Sequence, residues 1–371
     1  MATSYSQRYG RPLGVSNRGL GGAGLNLGVE ALCGETEMVT VFDDFNYVLP
    51  ASSFSEATGD STTAIWEDNG WVLTDVGTPT GDAIYCNSVA TVTERFDSCL
   101  KIVTATTEDE GGCMNLDIIN ADLASGANHL TSLSSRINFP HIWIAETAAG
   151  AGVNDNTTYV FACRVGLRAD ITTSGSGDWD SKMFIGWAEA GDTNILAAAT
   201  GLPVVSSQTG PIIGFAAHED GSITLNAQRT IDTALAEGTN FTTMIAAGGV
   251  DGTTALGAVT AGDTMWFDLA LRMDITDQSS ATANGAITGY YRRVADISAL
   301  APGRRDGRLA GDGPGAWVQH STVLENQCPN NDVALVPTIE AINGPTAGTD
   351  GVVFVDWWCM GISRYSLNLG S

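Results

Sequence analysis

Two acidic residues two positions apart, Glu108 and Glu110, stand in the run TTEDEGG at residues 106–112. Two carboxylates about 5 to 9 Å apart are the equipment for cutting a glycosidic bond. TTEDEGG lacks apolar alternation, however, and reads as a turn that would not hold the pair on a strand face. The four histidines, His129, His141, His218 and His320, show neither H-x-x-x-H nor H-E-x-x-H spacing, so each reads as a surface or hydrogen-bonded polar residue. No G-x-S-x-G, Walker or dinucleotide fingerprint occurs. Asn154, Asp155 and Asn156 form an oxygen-rich loop without the EF-hand pattern; no cofactor is expected, and calcium is the one candidate cation. Trp66, Trp71 and Trp179 lie beside turn signals and are candidate glycan contacts, although core packing is the commoner fate of tryptophan.

The elements that would position such groups are strands. Tyr159, Phe161, Cys163, Val165 and Leu167 alternate with Val160, Ala162, Arg164, Gly166 and Arg168; Met265, Phe267, Leu269, Leu271 and Met273 alternate with Trp266, Asp268, Ala270, Arg272 and Asp274. Each pattern is a strand with one core face. The run from Val352 to Ile362 is apolar on nearly both sides and reads as central. Weaker strand signals cover 39–46, 71–75, 100–106, 142–147, 183–188, 212–218, 223–228 and 287–294, with turn chemistry at Gly111-Gly112, Asp220-Gly221 and Asp251-Gly252. About a dozen strands and few helix signals predict an all-β, antiparallel two-sheet sandwich. Long loops are expected at about 198–210, 234–263 and 301–315.

Charge divides the chain. The first 29 residues carry Arg8, Arg11 and Arg18, no acid and seven glycines, whereas the remaining 342 carry 14 basic against 42 acidic residues. Residues 1–36 are therefore read as an extended N-terminal arm and 37–371 as the sandwich body. Ordering 29 residues costs on the order of 30 to 60 kcal/mol. Three exposed ion pairs at about 0.2 to 1 kcal/mol each recover little of it. If the arm binds, packing of Tyr5, Tyr9, Leu13, Leu20, Leu25 and Leu27 must hold it, with Arg8, Arg11 and Arg18 selecting an acidic partner surface; a frayed terminus without a role is the alternative. A second basic cluster, Arg292, Arg293, Arg304, Arg305 and Arg308, is a candidate contact patch for self-association or docking, or simply local neutralisation of the acidic body.

A net charge of −25 disfavours nucleic acid and anionic membrane as partners. The start has no charged region followed by an apolar stretch, so neither secretion by signal peptide nor a membrane span is expected. Seven scattered cysteines without a C-x-x-C pair read as reduced thiols, which fits folding in a reducing cytoplasm.

The landmarks VTVFDDFNY (39–47), IWEDNGWVLTDVGTPTGDAIY (65–85), KIVTATTEDEGG (101–112), YVFACRVGLRAD (159–170), KMFIGWAE (182–189) and VVFVDWWCMGISR (352–364) follow one another in an order that resembles the concanavalin A-like, jelly-roll virion proteins of tailed, marine-type bacteriophages. The resemblance implies a two-sheet sandwich whose first and last strands are neighbours. A sandwich with a flexible arm is most similar to capsid decoration, or cement, proteins. This implies a non-enzymatic homo-oligomer, assembled in the host cytoplasm, that binds the major capsid protein on the outside of the head; closed symmetry makes a dimer or trimer the default. A head-fibre or tail-associated glycan-binding protein is the rival. A glycoside hydrolase is a remote third, because the E-x-D-x-x-E and E-x-D-x-E strands of glucanases with this fold are missing.

Overall fold

In a computed structural model of the chain, the residues described are 38–43, 64–66, 71–76, 83–87, 99–104, 107–116, 142–144, 157–168, 179–189, 195–196, 211–229, 235–246, 250–251, 254–255, 264–277, 284–294, 318–329, 333–344 and 351–363. They form nineteen strands: β1 (Met38–Asp43), β2 (Ala64–Trp66), β3 (Trp71–Val76), β4 (Ala83–Asn87), β5 (Cys99–Val103), β6 (Gly111–Leu116), β7 (Ile142–Ile144), β8 (Thr157–Arg168), β9 (Ser181–Glu189), β10 (Ile212–Ala217), β11 (Ile223–Gln228), β12 (Phe241–Ile245), β13 (Val250–Asp251), β14 (Thr254–Ala255), β15 (Thr264–Ile275), β16 (Gly285–Val294), β17 (Val318–Glu325), β18 (Val333–Asn343) and β19 (Val352–Ser363). No helix occurs among the described residues.

Two antiparallel sheets stack face to face as a sandwich. The first runs β17-β16-β15-β8-β19-β5-β4, with β1 also on β19; the second runs β12-β11-β10-β9-β18-β6-β3-β2, with β7 also on β18. The first and last strands pair from Met38 opposite Ser363 to Asp43 opposite Trp358, as the family resemblance implies. Between the sheets lies one core in which Phe161, Val165, Phe267 and Leu269 of the first sheet meet Met183, Ile185, Trp187 and Phe215 of the second. These are the residues that period-two alternation sends to one face.

The outer faces are packed as well. On the second sheet Phe184, Ala188, Ile212, Ala216 and Ile342 form a further apolar cluster, roofed by Ile195 and Leu196. Glu340 fixes that roof, because its two carboxylate oxygens accept the N–H groups of Ile195 and Leu196 at 2.7 and 2.9 Å.

Three stretches depart from the sequence reading. The 234–263 stretch, expected as a loop, contains β12 and the β13-β14 hairpin. Gly111-Gly112, expected as a turn, opens β6, where a Cβ on Gly111 would lie 2.1 Å from the Ala341 carbonyl oxygen. Strand β18 carries Pro337, which ordinarily argues against a central strand. One flank of β18 is bonded to β7 over 333–335 and to β6 over 338–342, and Pro337 falls in the gap between those two partners. The arm and the loops at 198–210 and 301–315 lie outside the described residues.

Candidate functional site

Among the described residues, charged and aromatic side chains gather on the outer face of the first sheet. Antiparallel register aligns Arg292, Asp268, Arg164 and Trp357 in one row across β16, β15, β8 and β19. Asp268, fully buried, accepts from Arg164 Nε at 2.7 Å, Arg164 Nη2 at 3.2 Å and Arg292 Nε at 2.7 Å. Arg164 also donates from Nη1 to Asp356 Oδ2 at 3.4 Å, and its guanidinium lies 5.8 Å from the Trp357 ring centroid.

A bulge makes this possible. Register shifts between Val355 and Trp357, so Asp356 and Trp357 both face outward, while Trp358 returns to the core opposite Cys163. A strand of strict alternation would have sent one of them inward.

The adjacent row aligns Trp266, Gly166, Phe354 and Lys101. A side chain on Gly166 would come within 2.9 Å of the Trp266 ring, so its absence lets that indole lie across β8 toward Phe354, at 5.8 Å between centroids. Lys101 Nζ stands 5.7 Å from the Phe354 centroid on the other side.

The electrostatics of this face are those of a fixed array. Although burial disfavours the charged guanidinium, Asp268 and Asp356 together push the Arg164 pKa above its ordinary value, so it stays cationic throughout the physiological range. Its chemical capacity is to lock four strands together through a buried, charge-paired hydrogen-bond network.

A second polar group lies where β8, β9 and β19 meet. Asp180 pairs with Arg168 and accepts from Ser181 Oγ at 3.0 Å and from the Val352 N–H at 3.2 Å. Burial outweighs these bonds and pushes its carboxyl up to about 6. The thiols of Cys163 and Cys328 are also pushed up by burial, the latter to about 12, which leaves them inert at neutral pH. Cys113, Cys163, Cys328 and Cys359 are buried as thiols, not disulfides.

Two site expectations are corrected. Trp179 is fully buried, edge-on to Phe267 at 6.1 Å, and offers no face to a sugar. Arg292 belongs to the buried row with Asp268 instead of an open contact patch. The side chains of Trp66, Trp71 and Arg293 lie outside the described residues, as do Arg304, Arg305, Arg308, Asn154, Asp155, Asn156 and every arm position named above. His218 meets Thr224 Oγ1 at 2.8 Å and His320 meets Thr242 Oγ1 at 2.9 Å. No group of three metal-ligating side chains converges among the described residues.

Sequence reasoning missed the roles of Arg164, Asp268, Asp356, Asp180 and Glu340. A charged residue at the polar phase of a strand is the available signal for Arg164 and Asp268. It marks the face but not the partner.

No protein-family model and no curated protein matches the chain. Solved structures similar to it include lectin I from Ulex europaeus in complex with the methyl glycoside of alpha-L-fucose (10% identity, 81% of this chain and 100% of that one, TM-score 0.37). Others are arcelin-5, a lectin-like defense protein from Phaseolus vulgaris (11%, 81% and 95%, 0.35), and a marine PL-14 alginate lyase from Aplysia kurodai (9%, 85% and 99%, 0.35). With alginate lyases among the matches, the expectation of a non-enzymatic chain is not supported and is withdrawn.

Proposed function

We propose that the chain is a virion structural protein, a decoration protein that binds the outer surface of a phage head through its basic arm and through contacts between its own copies. The observation that supports this most directly is how five bases of the body, among the described residues, are committed. Arg164, Arg168, Arg272, Arg292 and Lys182 are each held by a carboxylate within the sandwich. Against that background, Arg8, Arg11 and Arg18 form a segment of opposite sign to a chain of net charge −25. Such a segment is steered toward an acidic surface and held there by packing. The major capsid protein is the partner this reading assigns, and the capsid exterior the location.

The test is cosedimentation with expanded, empty capsids from the phage that encodes the protein. Deleting residues 1–29 is expected to leave the far-UV β signal and solubility intact while abolishing attachment. Attachment by the truncated protein, or saturable glycan-array binding by a full-length chain that ignores capsids, would overturn the proposal.

A further inference from the structure

One end of the second sheet brings together an amine and two carboxylates that the reading above uses only as ion pairs. Lys182 is fully buried; its Nζ lies 2.6 Å from Asp109 Oδ1 and 3.2 Å from Glu219 Oε2. The lysine stands opposite Ile342 on β18 and two residues from Phe184, both in the outer apolar cluster.

Both carboxylates are mounted on turns fixed by main-chain bonds. Asp109 has φ 66°, its N–H donates to the Asn343 carbonyl at 3.3 Å, and the Asn343 N–H donates back to the Glu110 carbonyl at 2.9 Å. Glu219 sits in the turn between β10 and β11, closed by the Gly221 N–H donating to the His218 carbonyl at 3.0 Å; its own carbonyl accepts the Trp179 N–H at 3.1 Å. Glu219 Oε2 is buried and accepts no hydrogen bond, so it is an oxygen placed to take a proton.

We propose that this is a self-modification site, at which Lys182 and Asp109 condense into an intramolecular isopeptide bond with Glu219 as the proton carrier. The Lys182 ammonium yields a proton to Glu219, and the neutral amine attacks Asp109 Cγ. The new N–C bond forms as a C–O bond breaks, and the departing oxygen leaves as water with the two protons lost by the nitrogen. Glu219 returns to its carboxylate, and no oxidant or cofactor enters. Held contact supplies the proximity that two free side chains lack. The neutral amide replaces an ion pair whose lysine is wholly desolvated, a costly arrangement. Side-chain exposures of 26% for Asp109 and 27% for Glu219 leave the water a way out.

The test is the intact mass of the purified, denatured full-length chain, followed by tryptic mapping. The mass is expected to fall short of the sequence mass by one water, with a branched fragment joining residues 102–136 to 169–229 through Asp109 and Lys182. Asp109→Asn is expected to give the same linked product with loss of ammonia instead of water. Lys182→Met and Glu219→Gln are expected to retain their full sequence masses, with circular dichroism reporting whether each folds. Full sequence mass and separate peptides from the folded parent chain would overturn the proposal. Loss of water from folded Glu219→Gln would overturn the role given to Glu219.

Discussion

At the scale of single residues, the buried charges among the described residues are held by partners. Asp268 accepts from two arginines, so Asp268→Ala would leave both Arg164 and Arg292 facing a gap. Breaking such a group costs about 3 to 5 kcal/mol, and the expected result is a matching drop in the urea midpoint. Asp180 behaves differently, since its carboxyl is raised from 3.8 to about 6 in the folded chain. Between those values the folded state binds a proton that the unfolded state releases, so this group's contribution to stability is largest below the lower value and is lost as pH rises through the upper one. Asp180→Asn should therefore flatten stability against pH across that window. Denaturation midpoints at the two ends decide it, and an unchanged slope would remove Asp180 from the titration. Arg164 and Asp268 were visible in the sequence as polar phases of alternating strands. Asp356 and Trp357 facing the same way were not, because a bulge changes phase without changing composition.

At the scale of elements, close main-chain approach governs what β9 and β10 tolerate. A Cβ on Gly186 would sit 2.3 Å from the Ile213 carbonyl oxygen and 2.4 Å from Gly214 Cα, contacts only a separation of the two strands relieves. Gly186→Ala is expected to cost about 1 to 3 kcal/mol, read as a lowered thermal midpoint. The roof over the outer cluster hangs on one side chain. Glu340→Gln retains one acceptor oxygen for the two N–H groups of Ile195 and Leu196, so amide exchange at those two positions should accelerate while that of the central strands does not. Strands β8 and β15 were legible because one face is core and the other polar or small. Strand β18 was not, because VALVPTIEAIN carries a proline whose tolerance depends on where two neighbouring strands end. Strand β17, VQHSTVLE, buries only Leu324 and lacks the alternation that a buried face imprints.

At the scale of the whole molecule, the proposed decoration role calls for salt-sensitive association, because residues 1–29 carry three arginines and no acid in a chain of net charge −25. Reversing Arg304 and Arg305 to Glu is expected to weaken self-association or shell binding and to reduce its dependence on ionic strength, measured by sedimentation at low and high salt; no change at low salt would remove this patch from the reading. The order of strands carries a different consequence. Strand β19 lies in the middle of its sheet and bonds to β8 on one side and to β5 and β1 in succession on the other. As the ribosome delivers the chain, β1, β5 and β8 emerge long before the strand that joins them, and their unpaired edges must wait for more than 180 residues of synthesis. Vectorial folding can build the hairpin of β15 and β16, but the first sheet closes late, around β19. The nascent protein is thus most exposed to misassembly in the interval before β19 emerges, and chaperone dependence should centre on that interval.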